Sequence, residues 1–252
     1  DGVVVAQDAD QVATRVVGTN PLPAASSQPP FAITDVSEDS TVDWEKILYV
    51  VFDLETTGRV ATKDEIIELA GVILDKFGVP IEDAQFVEYV KPTTRIPPYI
   101  TELTTITNDD VQNAGSFAEV AGAFIRFMQQ QADDNEGDIQ HIVFVGHNNK
   151  AFDIPFFLRL LFANNIADMF FNDKRFGFAL DTMLLAKKAV RERKNLEVPS
   201  AYNLTALFQY VTGSSPTTAH RALSDVNSTS TLLRFQPFWE TRKQCIFRFS
   251  LR

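Results

Sequence analysis

A chain of 252 residues, 45% of them hydrophobic, is long enough for one large domain or two small ones and for a sizeable core. Its net charge of −10 argues against a general basic nucleic-acid-binding surface, and its one cysteine, Cys245, excludes an internal disulfide or a cysteine-based zinc site. The absence of any run of roughly 18 apolar residues leaves no membrane-spanning helix to expect.

The negative charge is uneven. Residues 1–43 hold seven acids and one base, Arg15, and run through NPLPAASSQPP without a sustained period. That composition predicts a disordered acidic tail or linker. Cysteine usage suits a reducing, intracellular compartment such as cytoplasm, nucleus or an organelle. Because the chain begins at Asp1 rather than Met, an N-terminal targeting peptide missing from this chain is a further expectation.

From Trp44 onward the pattern changes. ILYVVFDL (47–54), EIIELAGVILD (65–75) and AQFVEYVKP (84–92) predict three consecutive antiparallel strands with short connections. SFAEVAGAFIRFMQQQ (116–131) has helical spacing and opens on a Ser116/Glu119 capping-box pattern. HIVFVGH (141–147) reads as a buried strand. Helices are predicted over 152–164, with Pro155 tolerable in the first turn, and over 181–193, 203–211 and 223–235. The segment after about residue 240 has no clear reading, so the domain is placed at 44–240 and residues 241–252 are left as an extension.

The chemistry starts in VVFDLETTG. On a strand, residues i and i+2 face the same side, so Asp53 and Glu55 project together while Leu54 points into a core. Two adjacent like charges raise each other's pKa unless a cation sits between them, and all-oxygen ligands suit Mg²⁺ or Mn²⁺. Asp153, in GHNNKAFD, opens the helix after strand 141–147, where it complements the helix dipole or faces a site at the sheet edge. In HRALSD, His220 and Asp225 are five residues apart, about 140° around a single helix, so a shared site requires His220 in the preceding loop.

Asp-x-Glu on a first strand, Asp after a later strand and His-x4-Asp opening a last helix, in that order, resemble the DnaQ-like exonucleases. More narrowly they resemble the DEDDh group of 3′→5′ exonucleases. FDLETTG, GHNNKAFD and HRALSD are similar to that group's sequence blocks, and the likeness runs over roughly residues 46–236. DEIIELAGVILD resembles the family's second strand and ITELTTITNDDV its nucleotide-wedging loop.

The resemblance implies an α/β, RNase H-like fold: a five-stranded mixed sheet, three antiparallel strands first, flanked by helices. It implies two divalent metal ions, Mg²⁺ or Mn²⁺, held by Asp53, Glu55, Asp153 and Asp225, with His220 as general base. Imidazole is the side chain suited to proton transfer near neutral pH. Substrate contacts carried over are Thr56, Thr57 and Gly58, the wedge residues Leu103 and Ile106, and Asn148. The basic run Lys187, Lys188, Arg191, Arg193 and Lys194 suits phosphates or a solvated helix face. The implied function is a metal-dependent 3′→5′ exonuclease, acting on 3′ ends of single-stranded or frayed DNA and releasing nucleoside 5′-monophosphates. An exoribonuclease trimming RNA 3′ ends and a non-catalytic binding or structural module are the alternatives. The partner is nucleic acid, with DNA favoured over RNA and a larger assembly left open.

Overall fold

The structure, a computed structural model, describes residues 28–36, 41–135, 137–216 and 220–252. Among these, seven strands form one sheet: β1 (Phe31–Asp35), β2 (Ile47–Thr56), β3 (Ile66–Leu74), β4 (Pro80–Tyr89), β5 (His141–Gly146), β6 (Phe176–Asp181) and β7 (Ile246–Leu251). Their order is β1-β7-β6-β5-β2-β3-β4. β2, β3 and β4 pair antiparallel, as their short connections predict, and β2–β5–β6 pair parallel. β7 runs antiparallel to β6, and β1 antiparallel to β7 closes that edge.

The mixed sheet flanked by helices agrees with expectation, but the strand count is seven rather than five. β6 escaped because it is six residues long and runs into the next helix with no linker at all. β1 and β7 are stabilised by each other across nearly the whole chain, Phe31 opposite Leu251, and no local pattern marks such a pair. The tail boundary at residue 43 is corrected with them. Residues 31–35 belong to the sheet and Val42 is buried, while residues 1–27 and 37–40 of the predicted tail lie outside the described residues.

Two helical layers cover the sheet. α3 (Phe117–Asp133), α4 (Asp153–Ala163) and α5 (Ala167–Phe171) cover one face. α3 carries the predicted capping box, Ser116 Oγ accepting from the Glu119 N–H and Glu119 accepting from the Ser116 N–H. Leu48, Val50, Phe52 and Leu54 of β2 point into this layer. α6 (Thr182–Glu192), α7 (Leu204–Thr212), α8 (Ala222–Arg234) and α9 (Gln236–Thr241) cover the other face, which receives Ile47, Tyr49 and Val51. The next two side chains on that face are Asp53 and Glu55. α1 (Pro98–Thr104) and α2 (Asn108–Val111) pack as a small third cluster on Ile67 of β3.

The first core is dominated by phenylalanine. Phe144 sits among Phe52, Phe170, Phe176 and Phe249 with ring centroids 5.4–6.0 Å away. Phe249 comes from β7 and is 2% exposed, which makes the last strand part of the core rather than an appendage. Phe249→Ala is expected to cost about 3–5 kcal/mol, read as a lowered denaturation midpoint with an unchanged slope. A loss below about 1 kcal/mol would detach β7 from the folding unit.

Candidate active site

The site forms where the parallel strands end. β2 finishes with Asp53 and Glu55, β5 finishes at Gly146 before the loop to α4, and β6 finishes at Asp181. Loops at the carboxyl ends of parallel strands are where α/β proteins bind ligands. α8 lies across β2 and β3 and brings Asp225, in its first turn, onto the same face.

Carboxylate oxygens of Asp53, Glu55 and Asp225 lie within 4.8 Å of one another. Asp153 stands outside that trio yet is buried, and it is the strongest neighbouring charge on Asp53. Burial pushes the Asp53 carboxyl well above its ordinary range, and Asp153, Glu55, Asp225 and Glu68 add to the effect. Glu55 is pushed up to about 8, by burial first and then by Asp225, Glu68 and Asp153, with Arg221 partly offsetting. Burial raises Asp153 to about 7, with Asp181 adding and the N–H groups of Asp153 and Leu54 opposing. Asp225 is raised by burial, with nearby His220 opposing. An all-oxygen donor set short of positive charge fits hard divalent cations.

His220 lies in the loop just before α8, as the five-residue spacing requires. It is exposed, its backbone is left-handed with φ 61°, and its N–H donates to Asp225 Oδ2 at 3.2 Å. Asn148 is also left-handed, φ 61°, and its N–H donates to Asp181 Oδ1.

The predicted substrate contacts divide. Leu103 is 43% exposed on α1 and free to touch a ligand. Ile106 is fully buried with Ile67, Ile96, Ile100 and Val111, so it is a core residue and not a wedge. An apolar residue in a polar loop gives the same sequence signal in either role. Thr56 and Thr57 are buried and internally bonded: Thr56 Oγ1 donates to Gly58 O, the Thr57 N–H donates to Glu65 O, and Thr57 Oγ1 accepts from the Glu65 N–H. They build the turn and leave no free Thr57 N–H for a nucleotide. A Cβ on Gly58 would lie 2.3 Å from Asp64 Oδ2, so a side chain there would have to displace the Asp64 carboxylate that accepts from the Val60 N–H. Of the basic run, Lys188 is paired to Glu192 and Arg193 to Glu240.

Two buried carboxylates were not singled out in the sequence. Asp181 accepts from the N–H groups of Asn148, Lys150, Met183 and Leu184, so it caps α6 and pins the loop that leads to Asp153. Glu68, opposite Glu55 on β3, accepts from Arg221 and from the Ala222 N–H. The signal for Glu68 was present: one acid inside the apolar run IIELAGVIL. Lys150, in the pinned loop, also pairs with Asp35 of β1.

The architecture is mixed α/β, and its carboxylate cluster is a donor set of the kind that holds divalent cations. A family model described as exonuclease (RNase_T) matches residues 50–233, and the chain belongs to this family, in its DnaQ-like 3′→5′ branch. A PolC-type DNA polymerase III of Clostridium perfringens is 34% identical over 187 residues, which is 74% of this chain and 11% of that protein. The DNA polymerase III subunit epsilon of Treponema pallidum is 34% identical over 119 residues, 45% of this chain and 48% of the relative. The chain thus spans from about a tenth to about half of these relatives' length. An E. coli exonuclease I–single-stranded DNA complex superposes with a TM-score of 0.61 at 19% identity, covering 79% of this chain and 42% of the other. That likeness supports the RNase H-like fold.

The raised carboxyls set a pH dependence. Their folded pKa values exceed the unfolded ones, so the native state holds protons that the unfolded chain releases. That contribution is fully present below the unfolded value of 4.5 for Glu55 and is lost as pH rises through about 8. The metal-free protein is therefore expected to melt at a lower temperature at about pH 8 than at about pH 5, with Mg²⁺ restoring more stability at the higher pH. Calorimetry with and without Mg²⁺ checks this; a Mg²⁺ effect equal at both pH values would contradict it.

Proposed function

We propose that this domain is a 3′→5′ exonuclease that hydrolyses the terminal phosphodiester of single-stranded or frayed DNA and releases nucleoside 5′-monophosphates. The convergence of Asp53, Glu55 and Asp225 within 4.8 Å carries the reading. Its relatives' names, DNA polymerase III of the PolC type and subunit epsilon, favour DNA over RNA.

Asp53, Glu55 and Asp225, with Asp153 beside Asp53, would hold divalent ions, two in number and Mg²⁺ or Mn²⁺ in kind. When bound, such ions supply Lewis-acid stabilisation of the negative charge that builds on the reacting phosphate. His220 accepts a proton from the attacking water at an imidazole nitrogen. Water's oxygen forms the new bond to phosphorus as the bond to the departing 3′-oxygen breaks. The exposed loop position of His220 gives its ring room to approach a bound end. Leu103 supplies an apolar surface for the terminal base, and Asn148 stands on the loop that Asp181 pins.

With a 5′-labelled single strand and Mg²⁺, the wild-type chain is expected to shorten DNA from its 3′ end and faster than a matched RNA. Asp53→Ala should abolish release, and His220→Ala should slow it roughly 10²–10⁴-fold. No mononucleotide release by wild type, or full activity in Asp53→Ala, would refute the enzyme. Faster RNA shortening would refute the choice of DNA.

A further inference from the structure

α8 begins without a side-chain cap of its own, since Arg221 at its N-cap offers no acceptor. The missing acceptor comes from another element. Glu68 Oε2 on β3 accepts the Ala222 N–H at 3.0 Å, and an anion at the N-terminal end of a helix also complements its dipole. Glu68 is 2% exposed, and its other oxygen accepts from Arg221 Nη2 at 3.0 Å. The same Nη2 donates to the Tyr89 hydroxyl on β4 at 2.9 Å, and the guanidinium lies 5.8 Å from the Tyr89 ring centroid. Arg221 Nε is buried with no partner among the described residues, so the guanidinium is held at its tip. One residue earlier stands His220, in a left-handed backbone conformation that is uncommon outside glycine, though less so for histidine than for most residues.

We propose that Glu68 and Arg221 form a positioning pair that locks the start of α8 to β3 and β4 and thereby holds His220 in register with the carboxylates of Asp53, Glu55 and Asp225. Neither residue touches substrate in this account. Arg221 fixes the backbone immediately after His220, and Glu68 fixes the helix one residue further on. Asp225, one turn into α8, closes the unit by accepting the His220 N–H. Without the pair, His220 is free to relax toward ordinary backbone angles and carry its ring away from the carboxylates. Tyr89 is a lesser member, because it contributes one hydroxyl to a guanidinium already anchored by Glu68.

The inference rests on the reading of His220 as the base. The test uses the full chain. The chain has three histidines, so the His220 ring resonance is assignable with His220→Gln, and Mn²⁺ serves as a paramagnetic probe at the carboxylates. In wild type, Mn²⁺ should broaden the His220 ring signal. Arg221→Gln and Glu68→Gln should each lower kcat at least about tenfold with KM within about twofold, and the double variant should be no worse than either single one. In both, Mn²⁺ should bind as in wild type while the broadening of His220 weakens. Arg221→Lys should recover part of kcat, since an ammonium can pair with Glu68 without also reaching Tyr89. Unchanged kcat, a rise in KM alone (a phosphate contact), or loss of activity in proportion to lost Mn²⁺ binding would each overturn the pair. An inactive wild type would instead refute the exonuclease reading, which separates the two failures.

Discussion

Everything at this site depends on holding like charges together against their repulsion. At an effective dielectric of about 20, two carboxylates about 4–5 Å apart repel by roughly 3–4 kcal/mol. The six residues before Asp53, ILYVVF, are buried, paired with β3 from Tyr49 onward on one side and with β5 from Ile47 to Val51 on the other. A strand so placed does not relax to relieve two acids at its end. The repulsion appears instead as raised proton affinity and as a demand for cations.

The same side chain does opposite jobs within a small volume. Asp181 is surrounded by four backbone N–H groups, and Glu68 by a guanidinium and an N–H. Those two acids are satisfied by protein, and they stiffen the loop before Asp153 and the start of α8. Asp53 and Glu55 have no comparable set of donors among the described residues. Satisfied acids hold the frame, and unsatisfied ones face the ligand. The strands outside the family match contribute as well, since Asp35 of β1 reaches Lys150 in the loop that Asp181 pins.

Some of this was legible in the residues. Two carboxylates at i and i+2 closing an apolar strand gained their meaning only with GHNNKAFD and HRALSD in order downstream, and the five-residue gap between His220 and Asp225 already required a loop before α8 for the two to share a site. The longer helices α3, α4, α6, α7 and α8 were legible because each has a periodic apolar face and several have caps, whereas α1, α2, α5 and α9, of four to seven residues, are too short to show a period. β1 and β7 were not, because Phe31 meets Leu251 only after the rest of the sheet exists. Ile106 was misread because a buried and an exposed isoleucine look alike in sequence. Glu68 needed the register that sets it opposite Glu55, and Arg221 needed Glu68.

The central claim is that these carboxylates form one cation site. Anomalous diffraction from crystals grown with Mn²⁺ tests it most directly. The account predicts manganese peaks bounded by Asp53, Glu55 and Asp225, lost in Asp53→Asn. Manganese elsewhere on the molecule, with none at these three side chains, would contradict it.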